Sequence, residues 1–214
     1  ITFFTTLSGY IHWQLSGKKV LGVGDASGMF PIDCDKVDYD QVMVEKFDNL
    51  VADKNFAWKL RDILPEVLAA GDEAGVLTEE GAKLIDPSGE FKAGIPMCPP
   101  EGDAGTGMVA TGAVHPRTGS ISAGTSGFSL QVLERPLKGY YPQIDVCCTP
   151  GGKTVAMAHC NNCTSDIDAW VGLFADTAKV LGMQRNIQVL MNHLIETGRI
   201  THRVTKGYIE YCRA

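Results

Sequence analysis

Long hydrophobic runs are missing from this 214-residue chain. No stretch approaches the roughly eighteen consecutive apolar residues that a membrane-spanning helix needs, so none is expected. A basic excess is missing as well. The formal net charge is −6, which excludes the electrostatic footprint of a nucleic-acid-binding domain. The opening ITFFTTLSGYIHW has neither a basic leader nor a small-residue cleavage site, and no signal peptide is read there. It also lacks an initiator Met, so the chain is expected to begin inside something larger. No internal repeat or low-complexity tract occurs. The seven cysteines are an odd number, and Cys147 and Cys148 are adjacent. That pattern argues against a secreted disulfide framework and for a reducing, cytoplasmic location.

The apolar share is 44%, normal for a chain that buries a real core in one large or two small domains. Residues 184–214 hold five basic and two acidic side chains, so the acidic excess lies in the rest of the chain. A mildly basic tail of this size reads as a solvated helix face.

The densest chemical signal is residues 98–129, CPPEGDAGTGMVATGAVHPRTGSISAGTSGFS. Asp103 follows a Pro/Gly-rich turn and opens a short glycine-rich segment. A second glycine turn, Ala123 to Gly127, comes about twenty residues later. A carboxylate between two turns that bare the backbone suits phosphoryl transfer. That chemistry needs a base to orient an attacking hydroxyl, with N–H and hydroxyl groups to hold phosphate oxygens. A structural reading stands beside it. Asp103 could cap a helix over 104–113, and Gly124 and Gly127 could mark a tight turn between two strands.

Helical spacing predicts a helix over 2–15 that stops at Gly17, with His12 and Trp13 used for packing. Residues 18–33 read as a glycine-rich loop; GVGDASG lacks the third glycine and the following helix of a dinucleotide-binding turn. Further helices are predicted over 40–53, capped by Asp38 or Asp40, and over 79–85, capped at Thr78. Ile95 to Cys98 reads as a short buried strand leading towards Asp103. Past residue 117 the pattern changes to strands, at 118–124, 127–133, 144–149 and 154–159. A long helix over 165–181 follows, capped by Thr164 or Ser165, with Ile167, Trp170, Val171, Phe174, Ala178 and Leu181 on one face. The change of pattern predicts a domain boundary near 114–118.

EGDAGTGMVATGAV followed by SISAGTSG resembles the FGGY carbohydrate kinases, the group of xylulokinases, ribulokinases, gluconokinases and glycerol kinases. SGYIHWQLSGKKVLGVGDASGMFPID and AMAHCNNCTSDIDAWVGLF are similar to two further segments of that family, and all these segments occur in the family's order over residues 1–183. The resemblance implies an α/β chain of the actin-like ATPase (ribonuclease H-like) fold. Residues 1–115 would be the end of the first actin-like domain and 116–214 the start of the second, with 184–214 unassigned. It implies Asp103 as the catalytic base and Gly124, Thr125 and Ser126 as contacts to the ATP phosphates. Asp25 and Ser27 would lie on the substrate side; an Asx-turn that steadies the loop is the alternative for both. The implied cofactors are ATP and Mg²⁺, and the implied partner is a small sugar or polyol, with a homodimer as one candidate assembly. The family's D-x-G-T-type phosphate turn and its later adenine-binding region are not found in these residues, so the chain is not expected to phosphorylate a sugar by itself.

Two other readings compete. One is a non-catalytic kinase remnant that binds a partner. The other is a thiol redox protein built on Cys160 and Cys163 of the HCNNC segment. Zinc at that C-x-x-C pair is not expected, because no second C-x-x-C or H-x₃₋₅-H completes four ligands. The acidic group Asp33, Asp35, Asp38 and Asp40 lacks the glycine and terminal Glu of a calcium loop and reads as solvated surface.

Overall fold

A computed structural model describes residues 1–182, 193, 194, 196 and 197, and the strand backbones of 200–205 and 208–213. The chain forms two compact units, residues 1–161 and 162–214.

In the first unit the opening residues are extended rather than helical. Phe4 donates its N–H to the Ile63 carbonyl, and the Thr6 hydroxyl accepts from Gly9 N–H at 3.2 Å. That cap starts α1 at Leu7–Ser16, five residues later than the apolar spacing suggests. Gly17 ends it in the left-handed conformation (φ 71°), as expected. His12 is buried, its Nε2 3.0 Å from the Ala74 carbonyl oxygen, and Trp13 packs edge-on against Phe3. Both residues therefore serve packing.

The glycine-rich stretch 18–33 is more ordered than a loop. It holds β1 (Val20–Gly22), the one-and-a-half-turn helix α2 (Val23–Ser27) and β2 (Ile32–Asp33). β2 forms a small hairpin with β3 (Asp38–Tyr39). α3 (Gln41–Leu50) is capped by Asp40, which accepts from Met43 N–H at 3.0 Å, while Asp38 lies 3.3 Å from Arg61. After α4 (Leu60–Ile63), β4 (Glu66–Leu68) pairs in parallel with β1, Leu21 opposite Val67. The core of this region gathers Leu21, Val23, Ala26, Tyr39, Val44, Leu60, Ile63, Leu64, Val67 and Cys148.

α5 (Glu79–Ile85) is capped by Thr78, as the sequence predicts. Residues 95–98 do not form the predicted strand. They run beside 74–77 as a ribbon with a single bridge, Val76 to Pro96, because Pro96, Pro99 and Pro100 have no N–H to extend a ladder. α6 (Asp103–Ala110) follows, shorter than the predicted 104–113 at its far end.

Four antiparallel strands come next: β5 (Gly119–Ala123), β6 (Gly127–Val132), β7 (Asp145–Cys148) and β8 (Thr154–Cys160), in the spatial order β5-β6-β8-β7. All four fall where the sequence predicts strands, and β6 shows the alternation, with Leu130 and Val132 buried and Ser129 and Gln131 exposed. Met108 of α6 packs with Leu130, Val132 and Val155 in a second core. β7 serves both cores, with Cys148 in the first and Cys147 packed against the second.

In the second unit, α7 (Thr164–Val180) has Cys163 at its cap position and no side-chain cap bond, in place of the expected Thr164 or Ser165. Ile167, Trp170, Val171 and Phe174 of its predicted apolar face are exposed. β9 (Ile200–Thr205) and β10 (Tyr208–Arg213) pair antiparallel, within the stretch the sequence left unassigned. Among the described residues no helix is long and apolar enough to cross a membrane.

Leu21 is fully buried between β4 and the α2 region, so Leu21→Ala should lower unfolding free energy by about 2–5 kcal/mol. Urea denaturation of the variant measures this. A loss well under 1 kcal/mol would mean that this core is not what holds the first unit together.

Candidate functional site

The chain brings two of the sequence-predicted segments together, and a residue the sequence reading passed over joins them. Residues 100–101 run alongside residues 22–25. Gly22 N–H donates to the Pro100 carbonyl at 2.8 Å, and the Glu101 carboxylate accepts from Gly24 N–H and Asp25 N–H, both at 2.9 Å. α2 has no cap of its own, so Glu101 satisfies amides at its open N-terminus from 76 and 77 residues away. A Cβ on Gly22 or Gly24 would collide with the Glu101 carboxylate, so the approach requires glycine at both positions.

Asp25 is held firmly. Its Oδ2 accepts from the Thr6 hydroxyl at 2.8 Å and also from the Ser8 hydroxyl. These bonds reach across from α1 and are not the local Asx-turn. The other oxygen, Oδ1, lies on the side of Gly102: a Cβ placed there would be 3.5 Å from it. Ser27 donates to the Gly24 carbonyl at 2.6 Å and accepts from Cys148 N–H at 3.0 Å, so its hydroxyl braces α2 against β7.

Asp103 stands at the next turn of the same seam. It is the first helical residue of α6 rather than its cap; Gly102 takes the cap position, with no side-chain cap bond. Its side chain is exposed. A carboxylate there faces the positive end of the helix and is positioned by a rigid element. Gly124, Thr125 and Ser126 form the tight turn between β5 and β6. Gly124 donates its N–H to the Ser126 carbonyl at 3.0 Å, while Thr125 is exposed. The chemistry of that turn fits phosphate oxygens through the hydroxyls of Thr125 and Ser126, whereas the Gly124 amide is spent within the turn. Among the described residues no three His, Cys, Asp or Glu side chains group as a metal site.

The rival HCNNC segment runs from the end of one element to the start of the next. Cys160 ends β8 and Cys163 sits at the cap position of α7. Of the acidic group, Asp33 pairs with Lys36 at 2.8 Å and its carboxyl is held below the ordinary range by that bond.

Comparison with known proteins bears on this arrangement. No protein-family model matches the chain. A xylulose kinase from Haemophilus influenzae is 28% identical over 156 residues, which is 73% of this chain and 29% of that protein. The chain is similar to carbohydrate kinases of the FGGY type. Its fold is the actin-like fold of solved sugar kinases. The xylulose kinase from Rhodospirillum rubrum superposes with a TM-score of 0.63 at 15% identity, covering 99% of this chain and 42% of that one. The gluconate kinase from Lactobacillus acidophilus superposes with a TM-score of 0.59 at 13% identity, covering 94% and 38%. The chain thus spans less than half the length of each of these kinases.

Glu101 was the residue missed. The available signal was a lone acid directly before Gly102-Asp103, but its partners are too distant in sequence to be paired with it. Burial pushes its carboxyl up to about 7, against the two N–H bonds that favour the charged form, with Asp25 adding to the rise. Between its ordinary value of 4.5 and about 7, the folded chain holds this proton and the unfolded chain does not. Stability from this group is therefore greatest at low pH and falls as pH rises through that window. Glu101→Gln should flatten this fall, read as urea midpoints at about pH 5 and about pH 7.5. A variant whose midpoint drops as steeply as wild type would assign the slope to other groups.

Proposed function

We propose that this chain is the central part of an ATP-dependent carbohydrate kinase that transfers a phosphoryl group to a hydroxyl of a ketose or polyol, with xylulose as the first substrate to try. The observation that carries this reading is the position of Asp103. It is an exposed carboxylate on the first turn of α6, next to the seam that fixes Asp25, in a segment related to a xylulose kinase.

ATP would supply the γ-phosphoryl group, and Mg²⁺ would be carried mainly on its phosphates. Asp103 would accept the proton of the attacking sugar hydroxyl and orient its oxygen. The base need not be strong, because a loose phosphoryl transition state asks mainly for positioning and charge neutralisation. Thr125 and Ser126 would donate to phosphate oxygens as negative charge spreads over them. Asp25, anchored by Thr6 and Ser8, would present Oδ1 to the substrate side, and Ser27 would keep its bracing role. In this reading residues 1–115 close the first actin-like domain and residues from 116 open the second, a division drawn at the change to strands from Gly119 and not at the compact-unit boundary after residue 161.

The test is the kinetics of the intact protein with ATP and a panel of pentuloses, polyols and aldonates. Asp103→Asn should cut kcat by about 10²–10⁴-fold, the usual weight of a general base, with KM little changed. Asn preserves size and can still sit at a helix start, so the fold should survive. A variant keeping more than about half of wild-type turnover would return Asp103 to a purely structural role.

A further inference from the structure

Cys34 and Cys148 lie 114 residues apart in sequence, yet their sulfurs are 3.0 Å apart. No disulfide joins them. We propose that Cys34 and Cys148 are a redox modification site, a dithiol that a peroxide oxidises to an intramolecular disulfide and a thiol reductant restores. This inference stands apart from the kinase reading and uses none of its residues as chemistry.

The geometry supports a pair poised to react. Two thiolates bound to one tetrahedral zinc, at about 2.3 Å each, sit almost 4 Å apart. These sulfurs are closer than that, and no third ligand joins them among the described residues. Each backbone is held from outside the pair. Cys148 closes β7, where its N–H donates to the Ser27 hydroxyl. Cys34 opens the turn of the β2–β3 hairpin, and the far end of that turn rests on the 149–153 turn, where a Cβ on Gly152 would be 3.6 Å from Val37.

Access differs between the two thiols, which orders the steps. Both line a cavity of about 350 Å³ with Met29, Phe30 and Val146, but Cys148 is buried whereas Cys34 is only half-buried. A small oxidant reaches Cys34 first. The hydrogen bond from the Cys148 thiol holds Cys34 below the ordinary thiol range, with Thr154 acting the same way against burial and the charges of Asp33 and Asp35. The same bond, with burial, raises Cys148. Cys34 is therefore the attacking thiolate and Cys148 the resolving thiol.

The atoms balance with hydrogen peroxide as oxidant. The Cys34 thiolate attacks one peroxide oxygen and the O–O bond breaks. Hydroxide leaves, takes up a proton and becomes water, and Cys34 is left as a sulfenic acid. Cys148 gives up its proton as its sulfur attacks the Cys34 sulfur. The S–O bond breaks and a second water departs. The two sulfurs have lost two electrons to the peroxide, and a dithiol reverses the result by exchange.

The experiment treats the native chain with hydrogen peroxide, quenches with iodoacetamide and maps peptides without reduction from the monomer band of a gel. The expected product links the peptide holding Cys34 to the one holding Cys147 and Cys148. It should disappear on treatment with dithiothreitol. It should be lost in Cys34→Ser and Cys148→Ser, and retained in Cys147→Ser, whose thiol faces the other core. The proposal is overturned if wild-type Cys34 stays open to alkylation while exposed Cys98 is oxidised, or if the link survives Cys148→Ser and is lost in Cys147→Ser. The wild-type map and Cys147→Ser decide the question even if Cys148→Ser folds poorly.

Discussion

One carboxylate ties distant segments of the first unit together. Glu101 accepts two backbone N–H groups at the start of α2, and Pro100 accepts a third from Gly22. The seam unites the end of the parallel β1–β4 pair with the entry to α6, so two segments that resemble kinase motifs become one surface. Without it, α2 would open with unsatisfied amides in a half-buried setting, and Asp25 and Asp103 would rest on independent supports. The glycines at 22 and 24 are the other half of the same device, because any side chain there would push Glu101 away.

The elements that could be read from the sequence are those whose causes are local. Thr78 caps α5 through a bond to Gly81 three residues on, and β6 shows burial alternating along the strand, with Leu130 and Val132 buried and Ser129 and Gln131 exposed. The misreadings have causes that lie far away in sequence. The apolar spacing of residues 2–15 continues past the true start of α1, but Phe4 is claimed by Ile63 and Thr6 caps the helix. The run Ile95 to Cys98 has the composition of a strand, yet its prolines leave it a ribbon. The stretch 18–33 has the glycine content of a loop, but its short helix is completed by Glu101.

The candidate site divides in the same way. Asp103 and the 124–126 turn were visible because each lies in a compact motif whose residue types match phosphoryl chemistry. Asp25 was visible as a polar residue, but its anchors were not, since Thr6 and Ser8 lie 19 and 17 residues before it. Adjacent Cys147 and Cys148 looked alike in sequence. The pleat of β7 sends them to different cores, and only Cys148 meets Cys34.

The ribbon below α5 has a further consequence. Residues 74–77 and 94–97 are stitched by four backbone bonds: Ala74 N–H to Met97 O, Met97 N–H to Gly75 O, Leu77 N–H to Ile95 O and Gly94 N–H to Leu77 O. Everything from α5 to Lys92 is thus an excursion tied off at its base, and residues 87–96 are exposed throughout. Closing a longer loop on a fixed base costs only about 0.6 kcal/mol for each doubling of its length. The exposed part of the excursion, residues 87–92, is therefore where this chain can gain or lose residues over evolution, or accept a grafted tag, with buried Gly81 and Ala82 of α5 and the Glu101 seam left in place.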